Sequence, residues 1–542
     1  MQTRVFHPQG GENEINAAAD IIRRGGLLGI PTETVYGLGA DALNEDAVLH
    51  IFEAKGRPQD NPLIIHVPEA SWLTRYCRQV PDTAYRLAEK FWPGPLTMIL
   101  PRKEVVPLRT TGGLETVGVR CPDHPLTRAI IAAANVPIAA PSGNTSGRPS
   151  PTTAADMLED MDGKIDGIMD GGSCAVGVES TIIDLTVTPP RLLRPGGLPL
   201  EALQEVLGEV AMDKAVTEKL KDGERPRAPG MKYRHYAPKA PVTVVIGAPA
   251  RSAAYIRLQA QKGCGVICFD ELAPLFADCT VHCLGPAEDR AEQARRVFDS
   301  LRGFDSTNVT EIYAQCPDNR GLGLAVGNRL KKAAGFHIVD ADRLPDVAIG
   351  ITGGTGSGKT SALQAIRNLG GTVIDCDAVY HRELATNAAL RGDITAAFGD
   401  VFDGASLNRQ KLGTIVFGDK DALARLNEIV YRHLLPVIRQ EAAGHLLVGL
   451  DAINLFESGL AALCRMTVAV LAPEEDRVQR IMQRDGIRED YARLRISAQP
   501  PDDYYEARCS HILHNRASSP AAFTAQAEAL LRNWIQEVWN HE

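Results

Sequence analysis

The sequence predicts an α/β protein with more than one domain. Short apolar strands alternate with amphipathic helices along most of the 542 residues, and this alternation is typical of parallel sheets covered by helices. A chain of this length exceeds what one hydrophobic core usually organises. A glycine-rich phosphate-loop motif also lies between a predicted strand and a predicted helix, at Gly353 to Thr360. These three observations predict several α/β domains joined in one chain.

The first predicted elements lead to a polar stretch at the end of a buried strand. Residues 13–24 carry apolar side chains at helical spacing, and Leu27 to Ile30 form an apolar strand. Directly after it comes Pro31-Thr-Glu-Thr-Val-Tyr-Gly-Leu-Gly39. Hydroxyls and a carboxylate at the carboxyl end of a strand lie where α/β sheets usually bind ligands. Taken alone, the stretch is equally compatible with an ordinary polar turn.

Two more polar stretches follow predicted elements in the same way. Lys55 and Arg57 stand at the end of an amphipathic helix, before a strand within residues 62–67. A dense run of hydroxyl, amide and guanidinium donors over residues 141–150 follows a strand at 137–140. Such side chains can line an anion site, but cations at a helix end can also cap its carbonyls. Each stretch taken singly favours a solvated loop.

Together these stretches resemble the YrdC-like family, the threonylcarbamoyl-AMP synthases, over residues 5–210. The resemblance is carried by Pro31 to Leu38, Lys55-x-Arg57 with Ser142-x-Asn144, Phe91 to Thr97, Val178 to Asp184 and Leu193 to Gly196. It implies a domain over residues 1–212 with an open twisted sheet. It also implies that L-threonine, bicarbonate and ATP give threonylcarbamoyl-AMP and pyrophosphate, in the service of tRNA modification.

The same resemblance implies roles for individual residues. Lys55 and Arg57 are the expected catalytic residues, since Lys offers a point charge and Arg a bidentate fork to phosphate oxygens. The expected ATP contacts are Arg57, Asn61, Thr116, Ser142, Asn144, Ser150, Arg194 and Tyr236. The expected L-threonine contacts are Thr34, His66, Arg120 (on the carboxylate), Ala140 and Ser180. Ser142 and Asn144 are also the expected Mg²⁺ ligands.

A linker and a small domain are predicted next. Residues 213–240 are rich in proline and cations and lack periodicity, which is typical of a linker. The stretch also resembles the linker of the longer synthase form, which folds back over the nucleotide site and carries His235 to Pro238. Residues 241–336 alternate strands and helices and predict a Rossmann-like accessory domain. The basic part, Arg225 to Lys239, leaves an RNA-binding module without catalysis as an alternative.

The clearest chemistry lies in Gly350 to Ser361, whose sequence GITGGTGSGKTS contains the motif G-x-x-x-x-G-K-[ST]. An apolar strand, Val347 to Ile351, precedes it, and residues 361–368 are predicted to be helical. Glycines let successive N–H groups and a helix N-terminus face a polyphosphate, and Lys359 adds a positive charge. The expected ATP contacts are Gly354, Gly356, Ser357, Gly358, Lys359, Thr360 and Ser361, with Thr360 also on Mg²⁺.

Acidic and basic residues follow the phosphate loop. Residues 371–377 are predicted to be a strand that ends in Asp375 and Asp377, two residues apart and therefore on the same side. One of these acids could accept a proton from an attacking hydroxyl, and either could help to hold Mg²⁺. A helix from Glu475 to Arg484 carries several arginines, which fits either a mobile lid or a solvated face.

Residues 347–520 resemble dephospho-coenzyme A kinase. The matching stretches are Val373 to Ala378, Phe398-Gly399, Asp403-Gly404, Leu407 to Arg409, Val416-Phe417, Leu455 to Glu457, Arg484-Asp485 and Gln499. The resemblance implies a kinase domain over residues 346–542, with a parallel sheet and a helical lid. It makes Asp377 the base that activates dephospho-coenzyme A, with Lys359 and the lid residue Arg484 as its catalytic cations.

Three departures from the kinase pattern leave other interpretations open. Tyr431-Arg432 stands where the family has His-Pro, Ile453-Asn454 where it has Pro-Leu, and Ser510 where an acid is expected. A phosphate-loop kinase of another small alcohol, or an inactive scaffold, is therefore an alternative.

The net charge, the apolar runs and the cysteines indicate which class of protein to expect. The net charge of −9 argues against a dedicated nucleic-acid binder and leaves direct nucleic-acid binding open. No signal peptide and no run of about 18 apolar residues are apparent, so we expect a cytoplasmic enzyme without membrane contact. The eleven cysteines lack metal-site spacing and are expected to be reduced. Transfer proteins of the tRNA-modification pathway are the expected protein partners.

Overall fold

The computed structural model describes residues 2–218, 228, 236–404, 406–416 and 418–540. It divides into two compact units, the first formed by residues 1–249 and 260–340 and the second by 250–259 and 341–542. Most of the predicted linker, including His235 and most of the basic stretch from Arg225, lies outside the described residues, as does Phe417. Within the described part, no helix has the length and apolar character needed to cross a membrane.

The described strands and helices alternate along the chain. The strands are β1 (Arg4–Phe6), β2 (Leu28–Ile30), β3 (Gly37–Asp41), β4 (Ile64–His66), β5 (Leu96–Pro101), β6 (Thr116–Arg120), β7 (Ile138–Ala139), β8 (Gly167–Met169), β9 (Thr181–Asp184), β10 (Arg191–Arg194), β11 (Ala211–Met212), β12 (Val242–Ile246), β13 (Gly265–Phe269), β14 (Thr280–Gly285), β15 (Ile312–Gln315), β16 (Ile338–Asp340), β17 (Val347–Thr352), β18 (Thr372–Asp375), β19 (Phe402–Asp403), β20 (Ser406–Leu407), β21 (Leu447–Asp451), β22 (Met466–Leu471) and β23 (His511–His514). The α-helices are α1 (Gly11–Arg23), α2 (Glu45–Lys55), α3 (Leu73–Tyr76), α4 (Asp82–Phe91), α5 (Pro125–Ala134), α6 (Ala154–Met161), α7 (Leu200–Leu207), α8 (Pro249–Gln259), α9 (Arg290–Gly303), α10 (Gly323–Ala333), α11 (Lys359–Asn368), α12 (Cys376–Thr386), α13 (Ala388–Phe398), α14 (Arg409–Val416), α15 (Lys420–Ala442), α16 (Glu474–Asp485), α17 (Glu489–Ser497), α18 (Asp502–Glu506) and α19 (Pro520–Asn540).

A large mixed sheet organises the first 212 residues. Its order is β1-β8-β2-β3-β7-β4-β6-β5-β9-β10-β11. β4 and β6 run parallel, and their register places His66 opposite Arg120 at the carboxyl ends of both strands. β7 lies antiparallel beside β4 and leads into the polar run that begins at Pro141. Residues that are far apart in the chain are thereby brought to one region of the sheet.

The first unit also contains a five-stranded sheet, ordered β14-β13-β15-β12-β16. All of its pairings are parallel, as expected for the Rossmann-like accessory domain. α10 packs against α9 beside this sheet. The core around them contains Phe298, Val326 and Leu330, and it also includes Tyr236 from the end of the predicted linker.

The second unit is built on the parallel sheet β18-β21-β17-β22-β23. The phosphate-loop motif joins β17 to α11, and α11 packs on α19. The predicted α/β class, with a parallel sheet in the kinase-like part, is therefore confirmed.

The prediction of a strand over residues 371–377 is wrong at its end. β18 stops at Asp375, and Asp377 lies in the first turn of α12. The Asp375 carboxylate accepts a hydrogen bond from the Ala378 amide at 2.9 Å, and aspartate is among the best residues for capping a helix in this way. Because this cap starts a helix, Asp375 and Asp377 do not lie on the same side of one strand.

α8 belongs to the second unit, although the strands before and after it belong to the first. Leu258 is buried in the core that contains Val347, Ile366 and Leu531. The Arg532 guanidinium donates to the carbonyls of residues 257 and 258. The Arg257 guanidinium donates to the Asn368 carbonyl at 2.8 Å. The second unit therefore includes a helix that precedes its main sequence by about 80 residues.

We expect Leu258→Ala to destabilise the second unit by about 2–5 kcal/mol, because it removes buried methyl groups and leaves a cavity. Hydrogen exchange in β17 and α11, followed by mass spectrometry on the full chain, should become faster. Leu203→Ala, at a buried position of α7 in the first unit, is the matched control and should leave those two elements unchanged. Faster exchange confined to the first unit in Leu258→Ala would contradict this assignment of α8.

Candidate active sites

The first unit contains a cavity lined largely by polar and charged side chains. It lies where several strands of the large sheet end. The predicted residues that line it are Lys55, Arg57, His66, Arg120, Ala140, Ser142, Asn144, Ser180, Arg194 and Tyr236. Residues predicted from separate stretches of sequence are thus brought together around one space.

Four predicted residues are not among those that line this cavity. Thr34 lies behind it, with its hydroxyl 2.8 Å from that of Thr32, which does line the cavity. Ser150 is buried, and its hydroxyl donates to Glu179 at 2.7 Å. Asn61 is buried as well, and Thr116 is half-buried at the start of β6.

Lys55 holds the polar loop after β7 in place. Its buried ammonium donates to the carbonyls of Ser142 and Asn144. Burial and then the charge of Arg57 lower the pKa of Lys55 well below its ordinary value. The Ser142 hydroxyl donates to the Asn144 side-chain oxygen at 2.6 Å. Lys55 therefore fixes the loop that presents two neighbouring side-chain oxygens to the cavity.

His66 and Arg120 occupy the neighbouring wall. Burial and then the Arg120 charge lower the pKa of His66 to about 3, so the imidazole is neutral at physiological pH. An Arg120 guanidinium nitrogen lies 2.7 Å from a Glu33 carboxylate oxygen. The other Glu33 oxygen accepts a hydrogen bond from the Asp123 amide at 3.1 Å. The wall thus carries a buried ion pair beside a neutral imidazole.

Glu179 lines the cavity but is absent from the predicted residues. It accepts hydrogen bonds from Ser150 and from the guanidinium of Arg329, both at 2.7 Å. Burial alone would raise the pKa of Glu179, but the charges of Arg329 and Arg194 lower it to about 2. The position of Glu179 inside the Val178 to Asp184 motif was a usable signal, because a buried acid among cations is seldom incidental.

The second unit has its own cavity. Its polar wall includes Asp377, Tyr380, Tyr431 and Asn454, and apolar side chains of α15 form much of the remainder. Tyr431 and Asn454 both line this cavity. Two of the three departures from the kinase pattern therefore meet beside the predicted base.

Ser510, the third departure, lies elsewhere. Its hydroxyl donates to the Thr467 carbonyl at 2.9 Å and joins the amino ends of β22 and β23. Ligands of parallel sheets bind at the opposite, carboxyl edge.

The phosphate loop packs too closely for side chains larger than glycine. Gly353, Gly356 and Gly358 have positive φ angles of 135°, 78° and 107°, and a Cβ atom on Gly354 would lie 2.2 Å from Arg477. The Lys359 ammonium donates to the Gly353 carbonyl at 2.7 Å. The loop backbone and the start of α11 are thus shaped to face an anion.

Two of the predicted lid arginines contact the phosphate loop from outside. The Arg477 guanidinium donates to the Thr355 carbonyl at 3.0 Å, and that of Arg480 donates to the Gly356 carbonyl at 3.2 Å. Arg484 is largely exposed and pairs with Asp485 at 2.7 Å. Gln499 accepts a hydrogen bond from the Thr355 amide at 2.7 Å. α16 therefore supports the loop, and Arg484 lies at its far end.

Asp451 is an acidic residue that the sequence interpretation missed. It ends β21, and the register places it opposite Asp375 of β18. Burial raises the pKa of Asp451, while the charge of Lys359 acts to lower it. An apolar strand that ends in an acid beside the phosphate-loop strand was the available signal.

Comparisons with known proteins match both halves of the chain to protein families. Residues 20–196 match the Sua5/YciO/YrdC family model, described as telomere recombination. Residues 198–335 match the threonylcarbamoyl-AMP synthase C-terminal domain, and residues 347–521 match dephospho-CoA kinase.

Several individual relatives align with the N-terminal part of this chain. The chain is 49% identical over 337 residues to a threonylcarbamoyl-AMP synthase of Pyrococcus abyssi, covering 60% of this chain and 96% of the relative. A Bacillus subtilis threonylcarbamoyl-AMP synthase is 45% identical over 329 residues, covering 60% and 94%. A crystal structure of P. abyssi Sua5 with L-threonine aligns with a TM-score of 0.58 and 47% identity, covering 63% of this chain and 99% of that one.

A buried lysine beside the first cavity predicts a pH-dependent stability. Burial and then the charges of Arg329 and Arg194 lower the pKa of Lys332 to about 7. The pKa of a lysine in the unfolded chain is about 10.4. Between these values the unfolded chain binds more protons, so stability rises with pH. We expect Lys332→Met to raise the melting temperature of the first unit by several degrees at pH 7.

This advantage of Lys332→Met should shrink towards pH 10, as measured by calorimetry at both pH values. Lys331→Met on the same helix is the control and should change the melting temperature equally at both. An advantage of Lys332→Met that grows with pH would contradict the prediction.

Proposed function

The chain belongs to the threonylcarbamoyl-AMP synthase family and carries a dephospho-CoA kinase domain, and from this premise we propose how its two cavities serve two reactions. It is a bifunctional, ATP-using enzyme that forms threonylcarbamoyl-AMP for tRNA modification and phosphorylates dephospho-CoA in coenzyme A biosynthesis. The observation that carries the proposal is that the predicted synthase cations converge on one cavity. The phosphate loop and Asp377 belong to the other unit.

In the first cavity, the amine of L-threonine attacks the carbon of bicarbonate, a C–N bond forms, and water leaves to give a carbamate. A carbamate oxygen then attacks the α-phosphorus of ATP, a new O–P bond forms, and the bond to the β-phosphate breaks to release pyrophosphate. Both reactants are anions, so the protein must position them and balance their charge. Arg57 and Arg194, which line the cavity, provide this balance for the phosphates. Lys55 acts by holding the carbonyls of the loop at Ser142.

L-Threonine lies on the wall that contains His66 and Arg120. The Arg120 guanidinium takes the amino-acid carboxylate and is kept in place by Glu33 at 2.7 Å. The neutral His66 fits this role, because a second positive charge beside Arg120 would be costly in a buried wall. Ala140 and Ser180 line the same space, and Thr34 supports it from behind.

ATP lies against Ser142, Asn144 and Arg194, with Tyr236 above the nucleotide. Ser150, Asn61 and Thr116 remain predicted nucleotide contacts, although none of them is among the cavity residues. The boundaries of the synthase, linker, accessory and kinase domains remain predictions, except that α8, which lies inside the predicted accessory range, belongs to the second unit.

In the second unit, the 3′-hydroxyl of dephospho-CoA attacks the γ-phosphorus of ATP, and ADP leaves. Asp377 takes the hydroxyl proton, and Lys359 with Arg484 balances the charge on the transferring group. The cavity beside Asp377 receives dephospho-CoA, since tyrosines and apolar side chains of α15 line it. Residues 354–361 hold the phosphates of ATP through loop N–H groups and the amino end of α11.

Mg²⁺ fits the donor atoms present in both sites. This ion prefers substrate phosphates, waters and only one or two protein oxygens. The paired side-chain oxygens of Ser142 and Asn144, with a hydrogen bond of 2.6 Å between them, suit such a role in the synthase. Thr360, one residue into α11, suits it in the kinase. A bound Mg²⁺ would neutralise phosphate charge.

Identities of 45–49% to threonylcarbamoyl-AMP synthases favour catalysis over the RNA-binding alternative. Bicarbonate as co-substrate, transfer proteins as partners and a cytoplasmic location remain predictions.

The two activities should separate by mutation. We expect Lys359→Ala to abolish coenzyme A formation, because the phosphates lose their mobile cation, and to leave pyrophosphate release unchanged. Arg194→Met is the reciprocal variant and should lose threonylcarbamoyl-AMP while retaining kinase activity. Mass spectrometry of products from Mg-ATP with each substrate set measures both. Loss of both activities in Lys359→Ala would rule out independent sites.

We expect the residues that depart from the kinase family pattern to affect how the enzyme uses dephospho-CoA as phosphate acceptor. The double substitution Tyr431→His and Asn454→Leu restores the residues of the family pattern in the cavity of Asp377. We expect it to change kcat/KM for dephospho-CoA by at least about tenfold, which corresponds to about 1.4 kcal/mol in transition-state contacts. Ser510→Asp is the control, and because it lies at the opposite edge it should change kcat/KM less than about twofold. Equal effects of both variants would show that the cavity does not receive the acceptor.

A further inference from the structure

The accessory domain contributes one side chain to the synthase cavity region. Arg329, on α10, is fully buried and reaches Glu179, which precedes β9 in the large sheet. The two residues are 150 positions apart in the chain, and the guanidinium Nε lies 2.7 Å from the carboxylate. α10 is thus connected to the wall of the cavity by a buried ion pair.

Arg329 is held in one orientation by its other contacts. Its Nη1 donates to the Pro195 carbonyl at 2.8 Å and to the Asn328 side-chain oxygen at 3.0 Å. The Asn328 amide in turn donates to the Val216 carbonyl at 2.9 Å. These partners span the strand-end loop after β10 and the segment after β11. A guanidinium fixed in this way orients the carboxylate that it binds.

Glu179 and Arg329 each contact a group near the predicted nucleotide position. Glu179 accepts a hydrogen bond from the hydroxyl of Ser150 at 2.7 Å. Arg329 also lies 5.6 Å from the centroid of the Tyr236 ring, within the range of a cation–π contact. The Tyr236 ring further packs against Phe298 of α9 at 5.1 Å. Ser150 and Tyr236 are thus both tied to the accessory domain.

Arg329 also determines how much of the Glu179 charge Arg194 has to balance. Arg194 donates to the Ser180 carbonyl at 2.9 Å and is the other cation whose charge acts on Glu179. A buried carboxylate that loses its bonded partner must turn to another charge or take up a proton. Without Arg329, the available charge is Arg194, which lines the cavity.

We propose that Arg329 is a positioning residue of the synthase reaction, which holds Ser150 through Glu179, packs on the Tyr236 ring, and keeps Arg194 from turning to Glu179. This inference rests on the proposed threonylcarbamoyl-AMP synthase activity. Through Arg329, the accessory domain completes the nucleotide side of a site that the large sheet begins.

The test measures pyrophosphate release by the full chain while ATP is varied at saturating L-threonine and bicarbonate. We expect Arg329→Met to raise KM for ATP about tenfold with a smaller change in kcat, and to leave KM for L-threonine within about twofold. Lys331→Met, which removes one positive charge from the same helix away from the cavity, is the matched control. An unchanged KM for L-threonine, which binds in the same unit as Arg329, reports that the first unit of the variant is intact.

A double-mutant cycle separates positioning from general destabilisation. If Arg329 acts through Glu179, the variant with both Arg329→Met and Glu179→Gln should bind ATP no worse than the weaker single variant. Additive losses, or an unchanged KM for ATP in Arg329→Met, would overturn the inference. If Arg329→Met does not fold, the same cycle with Arg329→Lys decides by the same criterion.

The proposed synthase activity can be tested separately from the role of Arg329. A wild-type chain that releases no pyrophosphate with threonine and bicarbonate would refute the synthase activity itself. Calorimetric titration with a non-hydrolysable ATP analogue then tests Arg329 without turnover. Weaker binding in Arg329→Met than in Lys331→Met supports the positioning role, and equal binding overturns it.

Discussion

Charge that is buried in the first unit has to be balanced inside the protein, and the arrangement of its cavity follows from this requirement. Removing an ion from water costs several kcal/mol, so a buried charge persists only with close partners. Lys55 is satisfied by two carbonyls, Arg120 by Glu33, and Glu179 by Arg329. Because these partners fix each side chain, donors already face the cavity before a substrate arrives. Preorganisation of this kind lowers the cost of stabilising charge during the reaction.

The second unit meets anionic phosphates mainly with its backbone. The positive φ angles of Gly353 and Gly358 let the loop turn its N–H groups inward. A Cβ atom on Gly353 would lie 2.4 Å from the Val470 carbonyl oxygen, so the backbone leaves no room for a side chain there. Arg477 and Arg480 bind the loop carbonyls from outside, so they fix its shape. One chain therefore uses two solutions to phosphate binding, side-chain ion pairs in one unit and loop geometry in the other.

The sequence predicts the elements that are determined by residues close together in the chain. The phosphate loop, its strand and its helix depend on neighbouring residues, and they were predicted within two residues of the observed bounds of β17 and α11. The strand prediction fails at Asp377 because the Asp375 side chain caps a helix there. The bond between Glu179 and Arg329 joins positions 150 residues apart, and no local spacing indicates such a pair. The convergence of His66 with Arg120 likewise required the register of β4 and β6.

The membership of α8 in the second unit has a consequence for synthesis of the chain. Arg532, which donates to the carbonyl of Leu258, follows it by 274 residues. At about 5–20 residues per second, roughly 15–55 s pass between their appearance at the ribosome. During that interval Leu258 has left the ribosome, but the core that buries it is incomplete. α8 therefore emerges long before the core that buries it. A nascent chain that stalls during this interval exposes the apolar side chain of Leu258.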